Sequence, residues 1–197
     1  MKTISQLIIT MMICLFSIQA WAQSGKLFNT DNQLSSNLAT QVFQDKSGFI
    51  WIATRNGLNN YDGYHITVIK KDMSNFLGLN SNYINSIAQD EKGHILLGTN
   101  NSLLEFTGSE FLKIPMLDSK GKELATYVKQ IYPLRNKDVA VATSGYGIML
   151  KKQDEQKCHA MKGEVEKLKY IHKLLEDKRG RLWIILSLIH ISEPTRQ

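Results

Sequence analysis

The sequence has little of what builds a disulfide-rich, collagen-like or disordered protein. It contains 2 cysteines and 3 prolines, which excludes a disulfide scaffold and a proline-rich tract. Apolar residues make up 43% of the 197 residues and charged residues 21%, which supplies enough apolar surface for a core. These proportions predict a globular protein and leave its function open.

Motifs for catalysis, metal binding and cofactor binding are also missing. The 5 histidines show no pair in metal-ligand spacing, and neither a P-loop nor a G-x-S-x-G elbow occurs. Gly145-Tyr146-Gly147 has no dinucleotide-binding context and predicts a hairpin turn. Cys158-His159 lacks the further ligands of a zinc site, and we expect Cys158 to be exposed. We therefore expect no catalytic residue, metal site, cofactor or enzymatic activity in this chain.

Lysine and arginine outnumber the acidic residues, and the net charge is +6. In nucleic-acid-binding proteins, basic residues cluster on one face. Here they are dispersed, and between Lys151 and Arg181 they are mixed with Asp and Glu, which is typical of solvated loops. We expect no nucleic-acid partner.

The longest apolar run lies at the N-terminus and has the pattern of an export signal. Lys2 supplies a positive start, residues 7–18 are mostly apolar, and Ala20-Trp21-Ala22 resembles a cleavage site. A membrane anchor is the alternative, but a spanning helix needs roughly 20 apolar residues. We expect a signal peptide at residues 1–22, cleavage after Ala22, and a periplasmic location.

The rest of the sequence repeats itself. Three segments recur at an offset of 45 residues: 34–37 as 79–82, 45–48 as 90–93, and 50–54 as 95–99. A weaker third copy contains Val139–Thr143, and a fourth begins at Leu175 and reaches Trp183. Such a period indicates a repeat architecture, in which each copy forms one structural unit.

Each copy contains short strands separated by tight turns. Residues 45–48, Asn56-Gly57 and Asp62-Gly63 are turn or hairpin signals between segments rich in β-branched and aromatic residues. Four antiparallel strands in about 44 residues match one blade of a β-propeller. The predicted fold class is therefore all-β, an incomplete β-propeller with about three and a half four-stranded blades.

Two other repeat folds fit less well. Leucine-rich repeats have shorter periods, of about 20 to 29 residues, and helical repeats need an apolar stripe. One segment does have such a stripe, formed by Val165, Leu168, Ile171 and Leu175. The repeat phase instead places the first strand of the fourth blade at residues 170–175. We follow the phase, because tertiary context overrides local pattern.

Positions that recur in every copy are those that the fold needs. The structural core of the repeat is assigned to Trp51, Tyr61, Leu96, Phe106 and Trp183. Function in a repeat protein lies where the copies differ, mostly in loops of one face. The differences are Arg55 against Asn100, Asn59-Asn60 against Leu104-Glu105, and Tyr146 between two glycines. Such groups contact sugars and peptides but also occur in ordinary loops, so the ligand-binding residues stay unassigned.

The first copy resembles the two-component regulator propeller repeat, through residues 34–37, 45–54 and 56–63. That repeat is typical of the periplasmic sensor of hybrid two-component system histidine kinases. The resemblance implies a longer parent protein with a membrane helix, a histidine kinase and a receiver, located in the inner membrane. It also implies that the intact protein is a homodimer that senses an extracellular ligand such as an oligosaccharide and signals to transcription.

The repeat phase stops after Ile184. In the first two copies the apolar segment ends in Ala53-Thr54 and in Gly98-Thr99. The fourth copy has Ile185-Leu186 at these positions. We expect residues 185–197 to be a non-native tail that resembles translated adapter sequence. Residues 23–184 would then be a partial propeller, with blades at about 34–78, 79–122, 123–168 and 169–184. Its open edges would expose unpaired strands, so we expect the isolated fragment to aggregate.

Three functions remain open from the sequence. The chain is the start of a sensor propeller, part of a secreted lyase or lactonase-like propeller enzyme, or an interaction propeller without signalling output. Propeller enzymes of the second kind need carboxylates, Asn or His converging from several blades, and no such recurrence is visible in the repeats.

Overall fold

A computed structural model describes residues 25–71 and 78–187. The predicted signal peptide and residues 188–197 lie outside the described residues. Within them the chain forms sixteen β-strands and two short 3₁₀ helices, Thr30–Asn32 and Glu164–Lys167. Neither helix is long enough to cross a lipid bilayer. The predicted all-β fold class is confirmed.

The first two sheets are antiparallel meanders of four strands in chain order. The first blade consists of β1 (Ala39–Gln44), β2 (Ile50–Thr54), β3 (Gly57–Tyr61) and β4 (Ile66–Ile69). The second consists of β5 (Ile84–Gln89), β6 (Ile95–Thr99), β7 (Leu103–Phe106) and β8 (Phe111–Ile114). Each repeat copy therefore folds into one blade, as its turn signals predict.

The third sheet has six strands and departs from the repeat. Its strands are β9 (Met116–Leu117), β10 (Glu123–Leu124), β11 (Val128–Pro133), β12 (Val139–Thr143), β13 (Ile148–Lys151) and β14 (Cys158–Ala160). β9 pairs with β14 in parallel, so the β9–β10 hairpin extends the outer edge of the third blade. The expected boundary at residue 122 assigned β9 to the second blade. The structure places it in the third, because β9 pairs with β14, and its Met116 is buried in the core between the two blades.

The fourth sheet is a hairpin of β15 (Ile171–Glu176) and β16 (Leu182–Leu186). The strand expected at residues 170–175 is confirmed, and the apolar stripe does not form an α-helix. Strand β16 passes the expected boundary at residue 184, since Ile185 pairs with Lys173 and Leu186 with Ile171. The non-native origin of the residues from 185 onward stays a prediction.

The turn between the first and second strand has the same backbone hydrogen bonds in every blade, and in the first, second and fourth blades an aspartate side chain adds another. Asp45 Oδ1 accepts from the backbone N–H of Phe49 at 3.0 Å, and Gly48, with φ 92°, donates to the Asp45 carbonyl at 3.0 Å. The turns Asp90–Gly93 and Asp177–Gly180 repeat this arrangement. In the third blade, Lys137 occupies the glycine position with φ 72°. Most residues avoid positive φ, so the repeat prefers glycine there.

In the first and third blades, a glutamine just after a bulge in the first strand forms hydrogen bonds with the next blade. Gln41, just after the bulge in β1, exchanges two hydrogen bonds with the Ile87 backbone at 2.8 and 2.9 Å. Gln130 makes the same exchange with Leu174 at 3.3 and 2.6 Å. These bonds fix the register of neighbouring first strands and satisfy backbone groups at the centre of the assembly.

The hydrophobic cores lie between neighbouring blades. One cluster joins the first and second blades, another the second and third, and another the third blade and the fourth hairpin. Fully buried side chains such as Leu58, Leu97 and Ile148 contribute about 1.5–3 kcal/mol each. A blade is therefore stable through its neighbours, as expected of a repeat protein.

The residues assigned to the repeat core differ in burial. Trp51 is 6% exposed, and its ring packs edge-on against Phe106 of the next blade, with centroids 5.7 Å apart. Leu96 is buried, and Tyr61 and Phe106 are half-buried. Trp183 is 55% exposed, because no described residue of a following blade covers it.

The expected exposure of Cys158 is wrong. Cys158 is completely buried in the core between the second and third blades, under the β9–β10 hairpin that the sequence analysis missed. Desolvation raises the pKa of its thiol to about 12.

Candidate functional site

The first strands of the four blades lie side by side, and the residue before each strand stands at one end of them. That position holds Leu38, Tyr83, Tyr127 and Tyr170. We call this end the tyrosine rim and the opposite end, with the Asp-x-x-Gly turns, the turn end. The tyrosines are an irregularity in the repeat that the sequence analysis did not single out.

Two tyrosines of the rim lie between two cations. The rings of Tyr83 and Tyr127 have centroids 6.2 Å apart. The Arg55 guanidinium lies 5.6 Å from the Tyr83 ring, and Lys129 Nζ lies 5.1 Å from the Tyr127 ring. Aromatic rings in this setting are held by cation–π attraction and offer flat apolar surfaces beside positive charge.

Asn85 lies beneath these rings with one polar atom unpaired. The Tyr127 hydroxyl donates to Asn85 Oδ1 at 2.7 Å. Asn85 Nδ2 is buried and has no hydrogen-bond partner among the described residues. Desolvation, followed by the hydrogen bond and charge of Tyr83, raises the pKa of Tyr127. An unpaired buried amide costs free energy, so Asn85 is an unfavourable polar position next to the rim.

The rim continues into a hollow of ≈ 310 Å³ between the third and fourth blades. Its lining residues are Lys129, Ser144, Lys169, Tyr170, Ile171, His172 and Ser187. They comprise two lysines, a histidine and three hydroxyl groups, with no carboxylate among the described lining residues. Such a surface can contact a sugar ring through aromatic and hydroxyl groups and an anionic substituent through the lysines.

The positions at which the repeat copies differ divide between the two ends and the interior. Arg55 is part of the rim, as just described. Asn59 is completely buried and structural, because it donates to the Ile52 carbonyl and to Ser35 Oγ, both at 2.9 Å. Asn100 accepts from Ser81 Oγ at 2.8 Å and is likewise structural. Tyr146 is a partly exposed residue of the β12–β13 turn.

The remaining differing positions lie at the turn end or in the core. Leu104 is buried, and Asn60 lines a cleft of ≈ 430 Å³ between the first and second blades. Glu105 is buried beside His94, with Glu105 Oε1 and His94 Nδ1 2.9 Å apart. Asp90 Oδ2 lies 3.8 Å from the same imidazole nitrogen. The spacing of the histidines gives no sign of this cluster, because Glu105 comes from β7 whereas Asp90 and His94 lie between β5 and β6.

Comparison with known proteins identifies the repeat. The family model of the two component regulator propeller matches residues 33–56 and 78–101. No curated protein matches the chain.

Solved structures share the fold. The extracellular domain of BT4673 from B. thetaiotaomicron, described as part of a one component system, has a TM-score of 0.67 and 17% identity, covering 83% of this chain and 25% of that one. PorZ, a surface component of the type-IX secretion system of Porphyromonas gingivalis, has a TM-score of 0.57 and 18% identity, covering 76% and 25%. Virginiamycin B lyase from Staphylococcus aureus has a TM-score of 0.59 and 11% identity, covering 84% and 54%.

At identities of 11–18%, these similarities show the fold alone. The chain spans about a quarter of the length of the BT4673 domain.

Proposed function

Since this chain carries two-component regulator propeller repeats, we propose that it is part of an exported sensor propeller that binds an acidic oligosaccharide at the tyrosine rim. The observation that carries the proposal is the arrangement of Tyr83 and Tyr127 between Arg55 and Lys129. In this role the chain binds a ligand without transforming it, and further parts of a longer protein pass the binding event to a signalling system.

The chemistry of the rim favours a sugar with a negative charge. Flat aromatic faces pack against the apolar face of a pyranose. Arg55 and Lys129 can pair with a uronate or sulfate group. The adjoining hollow adds Lys169 to this positive surface beside Lys129.

A binding experiment tests this proposal. The complete exported propeller that contains this chain is titrated calorimetrically with neutral oligosaccharides and with uronate-containing and sulfated ones, and its melting temperature is recorded with each. We expect binding and a raised melting temperature with at least one acidic glycan, because a ligand specific for the folded state at 100 times its Kd adds about 2.7 kcal/mol. Equal binding of neutral and acidic glycans, or none at all, would contradict the proposal.

Matched variants locate the site. Lys129→Ala and Arg55→Ala each remove a cation from the rim, and we expect each to weaken acidic-glycan binding by roughly tenfold, the effect of losing a charge-assisted hydrogen bond. Tyr64→Ala is the control, because Tyr64 is a highly exposed tyrosine of the first blade near the turn end. If the control loses as much affinity as the rim variants, the ligand binds elsewhere.

The same mixtures separate binding from catalysis. Mass spectrometry of the glycans after prolonged incubation should show them unchanged, and a shortened or unsaturated product would favour the propeller-enzyme alternative.

Export is tested on the chain produced with its first 22 residues, whose secreted form should begin at Gln23.

A further inference from the structure

The aspartate of the repeated turn has a side-chain N–H donor in the first and fourth blades. Asp45 Oδ2 accepts from Trp51 Nε1 at 2.8 Å. Asp177 Oδ2 accepts from Trp183 Nε1 at 3.1 Å and from Arg181 Nε at 2.7 Å. In both blades these side chains form hydrogen bonds with Oδ2, while the turn backbone bonds to Oδ1.

The second blade has lost this donor. Leu96 occupies the tryptophan position and has no polar group to offer Asp90. Asp90 is nevertheless 5% exposed, and its Oδ1 accepts from the His94 backbone at 2.9 Å. Its Oδ2 lies 3.8 Å from His94 Nδ1, which is longer than a hydrogen bond. A buried carboxylate is costly unless a nearby group offsets its charge.

The second blade also adds a second buried carboxylate. Glu105, which stands where the first blade has Asn60, has a side chain that is 3% exposed, and its Oε1 is 2.9 Å from His94 Nδ1. One imidazole thus faces two buried carboxylates and can balance the charge of at most one of them. The first blade has a phenylalanine, Phe49, at the histidine position, so all three departures from the repeat occur at one place.

We propose that Asp90, His94 and Glu105 bind a divalent cation. Their ligand atoms all lie within 4.8 Å of one another. Donor atoms of a tetrahedral zinc site lie about 3.4 Å apart; the two distances from His94 Nδ1 are 2.9 and 3.8 Å, and the carboxylate oxygens lie within 4.8 Å of each other, so side-chain rotations would bring all three atoms around one ion. One imidazole nitrogen and two carboxylate oxygens suit Zn²⁺ or Mn²⁺, and the ion would offset the excess negative charge.

The site is accessible from solvent and supported by rigid elements. The His94 side chain is 33% exposed and lines the cleft between the first and second blades, which gives an ion a path to the ligands. Asp90 is held by its turn and Glu105 by the middle of β7. With only three protein ligands, a bound ion would keep a coordination position for water or for a ligand group in the cleft.

Metal titration of the chelator-treated chain tests the site. Equilibrium dialysis and calorimetry with Zn²⁺ and with Mn²⁺ should show one equivalent bound, and Co²⁺ should give the visible absorption of a low-coordinate site with a nitrogen ligand. His94→Gln and Glu105→Gln should each weaken Zn²⁺ binding at least about tenfold, because each removes a ligand. Circular dichroism checks that each variant is folded.

Two control variants separate the site from adventitious binding to surface histidines. His65 lies 3.8 Å from Asp62 and His159 lies 3.3 Å from Glu155, and both histidines are more exposed than His94. His65→Gln and His159→Gln should bind Zn²⁺ as the parent chain does. The proposal is overturned if the parent chain binds less than a stoichiometric amount, or if these controls lose as much affinity as His94→Gln. If a variant fails to fold, the Co²⁺ spectrum of the unsubstituted chain decides the question. A spectrum without nitrogen ligation contradicts the proposal.

Discussion

Trp51 and Trp183 occupy the same repeat position and differ in their surroundings. Both indoles donate to the aspartate of their own turn, at 2.8 and 3.1 Å. Trp51 is 6% exposed beneath Phe106 of the next blade, whereas Trp183 is 55% exposed at the end of the described strands. The hydrogen bond therefore follows from the local sequence, and burial follows from the neighbouring blade. Local and neighbour-dependent contributions can be measured separately at this position.

The largest expected effect separates the two tryptophans. Trp51→Ala should lower the free energy of unfolding by about 3–5 kcal/mol, because it leaves a cavity between two blades. Trp183→Ala should cost about 1 kcal/mol or less, since half of that side chain is already in water. Urea unfolding of both variants, followed by circular dichroism, gives the two values. Equal costs would mean that Trp183 is covered in solution, for example by a second copy of the chain.

A smaller effect is expected where the blades approach most closely. A Cβ atom at Gly98 would lie 2.5 Å from Val128 Cγ1 of the next blade, so Gly98→Ala should cost about 1–3 kcal/mol through overpacking. The equivalent Ile185 is 49% exposed, and Ile185→Ala should change stability little. Gly25→Ala serves as a second control, because nothing lies within 4 Å of the added atom.

Ile185, at the position of Gly98, departs from the small residues of the earlier blades. The first and third blades carry Ala53 and Ala142 at the position of Gly98, and all three are covered by a neighbouring blade. An isoleucine there could not be covered in the same way without displacing that neighbour. The threonine position next to it shows the same break. Thr54 and Thr143 donate to the Gly57 and Gly147 carbonyls, both at 2.8 Å, and Leu186 has no hydroxyl group to do so.

The repeat made the blades predictable because each blade depends on local turns. Asp45 and Gly48 determine a hairpin within five residues, and an apolar strand follows, so both features are visible in the sequence. The same reasoning assigned residues 170–175 to a strand, since the repeat phase outweighed a helical stripe. Departures from the repeat were harder to interpret. The β9–β10 hairpin uses the Asp-x-x-Gly turn of Asp118–Gly121 outside the repeat phase.

The candidate sites depend on contacts between distant positions, which the sequence does not display. Tyr83 and Tyr127 are in equivalent positions of different blades, and only the stacking of first strands brings their rings together. Asp90 and His94 are four residues apart, but Glu105 comes from β7 and completes the cluster through strand pairing. Cys158 was expected to be exposed because nothing in its neighbourhood indicates that a hairpin forty residues earlier covers it.

The turn of the third blade allows a stabilising change. Lys137 has φ 72° at the position where the other blades have glycine, and a side chain in this conformation costs about 1–2 kcal/mol. Lys137→Gly should therefore raise the free energy of unfolding by up to about 1 kcal/mol, after the entropy that glycine adds to the unfolded chain. Lys46→Gly, elsewhere in the first turn, should give no gain. A destabilised Lys137→Gly variant would show that the ion pair of Lys137 with Glu91, at 3.7 Å, matters more than the strain.

The hydrogen bond between the Trp183 indole and Asp177 can be tested through the pKa of Asp177. The Trp183 indole, and after it the Arg181 backbone, lowers the pKa of this carboxyl from 3.8 to about 2. The ionised form is thus favoured in the folded state, and its contribution to stability is present above pH 3.8 and lost as the pH falls towards 2. Trp183→Phe removes the largest cause and should raise the pKa of Asp177 towards 3.8, as measured by carbon NMR of the carboxyl group. Arg181→Met keeps the indole and should raise it less, because the side chain of Arg181 contributes less than Trp183. A pKa unchanged in Trp183→Phe would mean that the turn backbone alone holds the carboxylate ionised, and that the tryptophan is retained for the neighbouring blade.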